Sequence, residues 1–134
     1  DEIVIVINEH YIKEISDIVL QNKYKKVTKV LVGGSERSDS SLAAINFFSN
    51  CNTEKTNLIF HDSVRPLVSQ TIINNVIGAL ENNKAVNVGV KCTDTIMKLN
   101  SDNLIEEIPA REFLYKTQTP QNFADKTLPS AWHK

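Results

Sequence analysis

Across its 134 residues the sequence has no apolar run approaching the ~20 residues that a membrane-spanning helix needs. That absence argues against a membrane partner. Neither charge is in excess. Fifteen Lys and Arg stand against sixteen Asp and Glu, a formal net charge of −1, so no basic surface argues for nucleic acid. Cysteine is scarce: Cys51 and Cys92 lie far apart and form no CxxC pair, which reads as free thiols rather than a disulfide or a metal site. His10, His61 and His133 fall at no metal-ligand spacing. No GxGxxG opens a helix, which disfavours a dinucleotide-binding oxidoreductase. The opening "DEIVIVINEH" is acidic and its apolar run is short, unlike a secretory signal, so the expected location is cytoplasmic.

What is present is an alternation of two periods. "IVIVI" (Ile3–Ile7) is continuous, β-branched and short, as a strand buried on both faces is, and "VTKVLV" (Val27–Val32), "NLIF" (57–60) and "AVNVGV" (Ala85–Val90) read as three further strands. Between them run helical stripes: Ile12, Ile15 and Val19 after a possible cap at Asn8; Leu42, Ile45 and Phe48 after Asp39 and its serine neighbours; and Ile72, Ile73, Val76, Ile77 and Leu80 after Ser69. The expected fold is α/β, one Rossmann-like domain with a mostly parallel sheet and helices on both faces. After Lys91 the pattern changes. "TIMKL" (Thr95–Leu99) and "LIEEI" (Leu104–Ile108) flank the turn-rich "NSDN", and "EFLYKT" offers one more strand. This predicts a β-hairpin arm over about residues 94–117, polar enough that it would project and cover its edges on another subunit.

Two stretches carry candidate chemistry. In "HDSVRP", Asp62 and Arg65 sit three apart where a strand ends, and ligands of open α/β sheets bind beyond the carboxyl ends of strands. A carboxylate there can hold a divalent metal or a ribose hydroxyl, and a guanidinium can clamp a phosphate. An Asp–Arg pair that only fixes the turn before Pro66 explains the same residues. In "VGGSERSDSS", two glycines after a strand let a ligand approach the backbone, and the helix that follows offers free N–H groups to an anion. A plain turn with a serine cap is the competing explanation.

Taken together, "VGGSERSDS", "HDSVRP", "TDTIMK" and "LYKTQTPQNF", in this order, resemble the cytidylyltransferases related to methylerythritol phosphate cytidylyltransferase. The resemblance covers nearly the whole chain and weakens after Phe123. It implies an enzyme that joins CTP to a polyol phosphate and releases pyrophosphate, with Mg²⁺, as a homodimer. Two branches fit: enzymes of isoprenoid biosynthesis acting on methylerythritol phosphate, and ribitol-5-phosphate enzymes supplying teichoic acid or capsule. "EEIPAREFLYKTQTPQNF" looks more like the ribitol branch.

By this resemblance Gly34, Ser35 and Ser40 would meet the cytidine half of CTP. Ser35 stands where the isoprenoid branch often has aspartate. Asp62 would reach the metal and the nucleotide, with Ser63 beside it. Arg65, Thr95 and Arg111 would hold the polyol phosphate, Arg111 reaching into the partner subunit's pocket. Set against these roles, Thr95 is also a good strand residue, and Arg111 also reads as a solvated arm charge. His61 reads as a packed or hydrogen-bonded loop residue. The family's glycine-rich CTP loop belongs ahead of Ile3–Ile7, and "ADKTLPSAWHK" does not read as the family's C-terminal helix. The resemblance therefore implies an incomplete version of the enzyme, inactive by itself. A non-catalytic dimerising remnant of the fold is the alternative from another class.

Overall fold

The computed structural model describes residues 1–49 and 56–124. The chain divides into two compact units, Asp1–Glu54 and Lys55–Lys134.

In the first unit, β1 (Ile3–Ile7) pairs in parallel with β2 (Val27–Val32). Between them Asn8 accepts from His10 N and opens a single 3-10 turn, Glu9–Tyr11, that leads into α1 (Ile12–Gln21). The expected cap at Asn8 therefore serves the 3-10 turn. α1 ends where Lys23 takes a left-handed φ of 55°. Lys23 N–H then reaches Leu20 O and Tyr24 N–H reaches Val19 O, the paired bonds of a Schellman ending. α2 (Arg37–Ser49) follows β2 and buries Ile45; Leu42, expected on the same stripe, stays 41% exposed.

In the second unit β3 (Asn57–Phe60) and β4 (Ala85–Lys91) flank β7 (Tyr115–Ala124), which runs antiparallel to both. β3 and β4 are thus parallel to each other without being neighbours. The expectation of a mostly parallel sheet needs correction here: the pairings are parallel in the first unit and antiparallel in the second, because the late strand inserts between the two earlier ones. α3 (Gln70–Leu80) links β3 to β4. Ser69 caps it by accepting from Ile72 N at 3.2 Å, as its position predicts. Val76 and Leu80 of α3, with Leu58 of β3, Cys92 and Pro120, form the buried core of this unit.

The hairpin is shorter than its sequence suggests. β5 is only Lys98–Leu99 and β6 only Ile105–Glu107. Thr95–Met97 has no regular structure, so the strand reading of Thr95 does not hold. The turn forms as expected: Asn100 Oδ1 accepts from Asp102 and Leu104 N–H, and Asn103 adopts a φ of 60°. Met97, Leu99, Leu104, Ile105 and Ile108 of the hairpin region are all about half exposed or more. No helix among the described residues is long and apolar enough to cross a membrane. Cys51, His133 and the segment 125–134 lie outside the described residues.

Candidate active site

The first unit presents the loop between β2 and α2. Gly33 N–H continues the parallel pairing by donating to Ile7 O at 2.8 Å. Asp39, in the first turn of α2, turns its carboxylate back: Oδ2 accepts from Glu36 N at 3.1 Å and from Ser35 Oγ at 3.2 Å. This is one half of a capping box, an acidic residue satisfying an orphan N–H at the helix start. Ser40 Oγ accepts from Gly34 N at 3.2 Å and donates to Glu36 O at 3.3 Å.

These bonds explain the glycines differently from the sequence reading. A Cβ on Gly34 would overlap Asp39, and one on Gly33 would come within 2.6 Å of Ser40 Oγ. The space a ligand was expected to use against the backbone is filled by the chain's own first helical turn. Gly34 and Ser35 remain exposed, on a loop held rigid by Asp39 and Ser40. Asp39, in that same turn, carries the local geometry without having been singled out for a site.

In the second unit the turn after β3 carries the acid and the arginine. Arg65 N–H bonds to Asp62 O at 3.0 Å, and Arg65 Nε lies 3.6 Å from Asp62 Oδ2. The pairing expected of a purely structural turn does therefore form. The Asp62 side chain is 29% exposed and that of Arg65 52%, so both still face solvent at the strand's carboxyl end. His61 Nε2 lies 2.8 Å from Arg65 O. A carbonyl can only accept, so that nitrogen carries the proton and is no base. Ser63 sits exposed in the same turn. Asp62 N–H points at Thr119 Oγ1, 3.5 Å away, and Thr119 is buried in β7. Thr119 fastens the acidic turn to the sheet, a role that spacing could not disclose across 57 residues.

Beyond β4, Thr95 is exposed, and Arg111 stands in a 3-10 turn, Arg111–Phe113. Arg111 Nη1 donates to Thr93 O at 3.2 Å, which brings Arg111 beside the segment that bears Thr95. Arg111 also lines an open hollow of about 420 Å³ with Lys91, Cys92, Ala110 and Glu112. The β7 register relates the two clusters: Thr119 meets Asp62, and Tyr115 pairs with Lys91 at the end of β4. Those positions are roughly 13 Å apart along an extended strand.

An unforeseen pair stands at the same place. Lys116 Nζ bonds Asp94 Oδ2 at 2.8 Å. The hydrogen bond, reinforced by the charge of the ammonium, holds the Asp94 carboxyl below its ordinary 3.8. In return the same hydrogen bond and the Asp94 charge, with a smaller contribution from Cys92, push Lys116 above its ordinary 10.5. A lone Asp and a lone Lys 22 residues apart left no signal in the sequence. Among the described residues no three His, Cys, Asp or Glu side chains converge. Asp62 is a single, partly exposed carboxylate at the strand's end; a hard cation such as Mg²⁺ takes one or two carboxylates together with phosphates and water.

The chain matches the family described as "IspD: 2-C-methyl-D-erythritol 4-phosphate cytidylyltransferase" over residues 1–134. It is 42% identical over 133 residues to a bifunctional ribulose 5-phosphate reductase/CDP-ribitol pyrophosphorylase of Haemophilus influenzae, covering 98% of this chain and 28% of that protein. It is 35% identical over 127 residues to a 2-C-methyl-D-erythritol 4-phosphate cytidylyltransferase of Thermobifida fusca, covering 92% of this chain and 51% of that one. The crystal structure of a 4-diphosphocytidyl-2C-methyl-D-erythritol synthase from Anaerococcus prevotii superposes with a TM-score of 0.86 at 30% identity, over 98% of this chain and 58% of that one. The chain therefore spans about half the length, or less, of the curated relatives it matches.

Proposed function

Residues 1–134 belong to the 2-C-methyl-D-erythritol 4-phosphate cytidylyltransferase family, and on that premise we propose that the full-length protein joins CTP to a polyol phosphate, giving a CDP-alditol and pyrophosphate. We take these residues as one nucleotidyltransferase domain with a Rossmann-like sheet, helices on both faces and a hairpin arm. The observation that carries the functional reading is the placement of Arg111 against Thr93, next to Thr95, beyond the carboxyl end of β4. An arginine and a hydroxyl at that end suit a phosphate monoester.

The chemistry fits a site without a nucleophilic triad. The attacking phosphate, with a second pKa of about 6, is mostly doubly charged at neutral pH, so no general base is required. What the chain must do is hold two anions in line and neutralise the charge that develops on them. Arg65, Thr95 and Arg111 would orient the polyol phosphate. Gly34, Ser35 and Ser40 would meet the cytidine from the exposed side of their loop, since Asp39 fills the space beside Gly34, with Ser63 at the nucleotide beside Asp62. Asp62 would hold Mg²⁺, which when bound supplies positive charge for the phosphates.

Ribitol 5-phosphate is the favoured acceptor, supported by the arm sequence "AREFLYKTQTPQNF" and by the similarity to a CDP-ribitol pyrophosphorylase. Methylerythritol phosphate is the second reading, supported by the similarity to cytidylyltransferases named for that substrate. A homodimer is also part of the proposal, supported by the exposed Met97, Leu99, Leu104, Ile105 and Ile108 of the hairpin, apolar surface of the kind that associates. Pyrophosphate release by the full-length protein, with CTP, Mg²⁺ and each polyol phosphate in parallel, tests the reading. A higher kcat/KM for ribitol 5-phosphate is expected. Preference for methylerythritol phosphate would select the second branch, and no release with either would leave a non-catalytic remnant.

A further inference from the structure

After Lys91 the chain leaves β4 and has no regular structure until Lys98. Three successive residues of this stretch are tied down, each by a residue of the 111–116 segment. Cys92 N–H donates to Leu114 O at 2.9 Å, Thr93 O accepts from Arg111 Nη1 at 3.2 Å, and Asp94 Oδ2 receives Lys116 Nζ at 2.8 Å. Cys92, only 6% exposed, also lays its thiol on Asp94 O at 3.4 Å. The ties stop one residue before Thr95.

The last of them does little for stability. The Asp94 and Lys116 side chains are 68% and 56% exposed, and exposed ion pairs contribute little to folding. What a short bond between residues 22 apart can do is restrict the backbone that presents the next side chain. We infer that Asp94 and Lys116 are positioning residues: their ion pair holds the 93–95 segment so that Thr95 and Arg111 meet the polyol phosphate in one geometry. In this reading Lys116 acts through Asp94, its partner at 2.8 Å. The inference rests on the polyol-phosphate reading of the site.

The test uses the full-length protein with Lys116→Met, Asp94→Asn, the double variant and Lys116→Arg. Each single loss should raise KM for ribitol 5-phosphate about tenfold and leave KM for CTP unchanged, as a small misplacement of one substrate does. The double variant should be no worse than the worse single, since one tie is lost only once. Lys116→Arg should recover most of the loss. Amide hydrogen exchange at Asp94–Met97 should quicken in both single variants. Additive losses in the double variant would make Lys116 a direct phosphate ligand and overturn the inference, as would unchanged polyol-phosphate KM or unchanged exchange. A wild-type protein inactive with every polyol phosphate would overturn the reading of the site itself, and the role of the pair with it. Active wild type with unshifted variants would overturn the inference alone.

Discussion

A Cβ on Gly34 would overlap the Cβ of Asp39, the residue whose carboxylate caps α2 through Glu36 N and holds the Ser35 hydroxyl. The blocking atom is attached directly to the helix backbone, so no rotamer change relieves the clash. Gly34→Ala should therefore cost about 1–3 kcal/mol, as overpacking does. Denaturant unfolding of the full-length protein measures it. A variant as stable as wild type would mean that the loop has room to move.

Asp62 is fixed by its own N–H to Thr119 and faces Arg65, yet its carboxylate remains partly open to solvent. Asp62→Asn keeps the shape and removes the charge proposed to hold Mg²⁺ and orient the nucleotide. Losing one such electrostatic contact should cost about 3 kcal/mol, on the order of a hundredfold in turnover. Steady-state kinetics with CTP and Mg²⁺ provides the measurement, and unchanged turnover in a folded variant would leave Asp62 as a turn residue paired to Arg65.

Arg111 donates to Thr93 of its own chain, while the hairpin beside it exposes Met97, Leu99, Leu104, Ile105 and Ile108. If a dimer pairs the arms and delivers each Arg111 to the neighbouring pocket, an Asp62→Asn protein mixed with an Arg111→Ala protein should regain activity in part. One pocket of each heterodimer would then carry both defects and the other neither. Absence of recovery after proven subunit exchange would assign Arg111 to its own chain's site.

The Asp94–Lys116 pair sets a pH window. Asp94 titrates below its ordinary 3.8 when folded, so its contribution is present above that value and is lost as pH falls through the depressed pKa. Lys116 titrates above 10.5, so its contribution is present below that value and is lost as pH rises through the raised pKa. Between these limits the pair should be insensitive to pH. Carboxyl NMR of Asp94 should show an acidic midpoint in wild type that moves up in Lys116→Met. High salt should shrink the difference, because the pair is exposed. Equal midpoints would show that the bond does not persist in solution.

Local chemistry was legible in the amino-acid order. Ile3–Ile7 and Val27–Val32 are strands because β-branched residues fit a pleated surface, although neither strand holds a fully buried residue, and Ser69 caps α3 because its hydroxyl can reach Ile72 N within one turn. The turn at Asn100–Asn103 follows from asparagine side chains that bond their own backbone. The motif residues Asp62 and Arg65 were legible for a similar reason, since three residues in one turn suffice to bring them together. The tertiary structure decided the rest. No local rule places β7 between β3 and β4, and that insertion is what brings Thr119 to Asp62 and Lys116 to Asp94. It also decided that Asp39, rather than an outside ligand, fills the space beside Gly34, because only the packed start of α2 brings that carboxylate over the glycine. Contacts across tens of residues are set by which strand edges pair, and pairing is chosen by the burial of whole faces, which single positions do not encode.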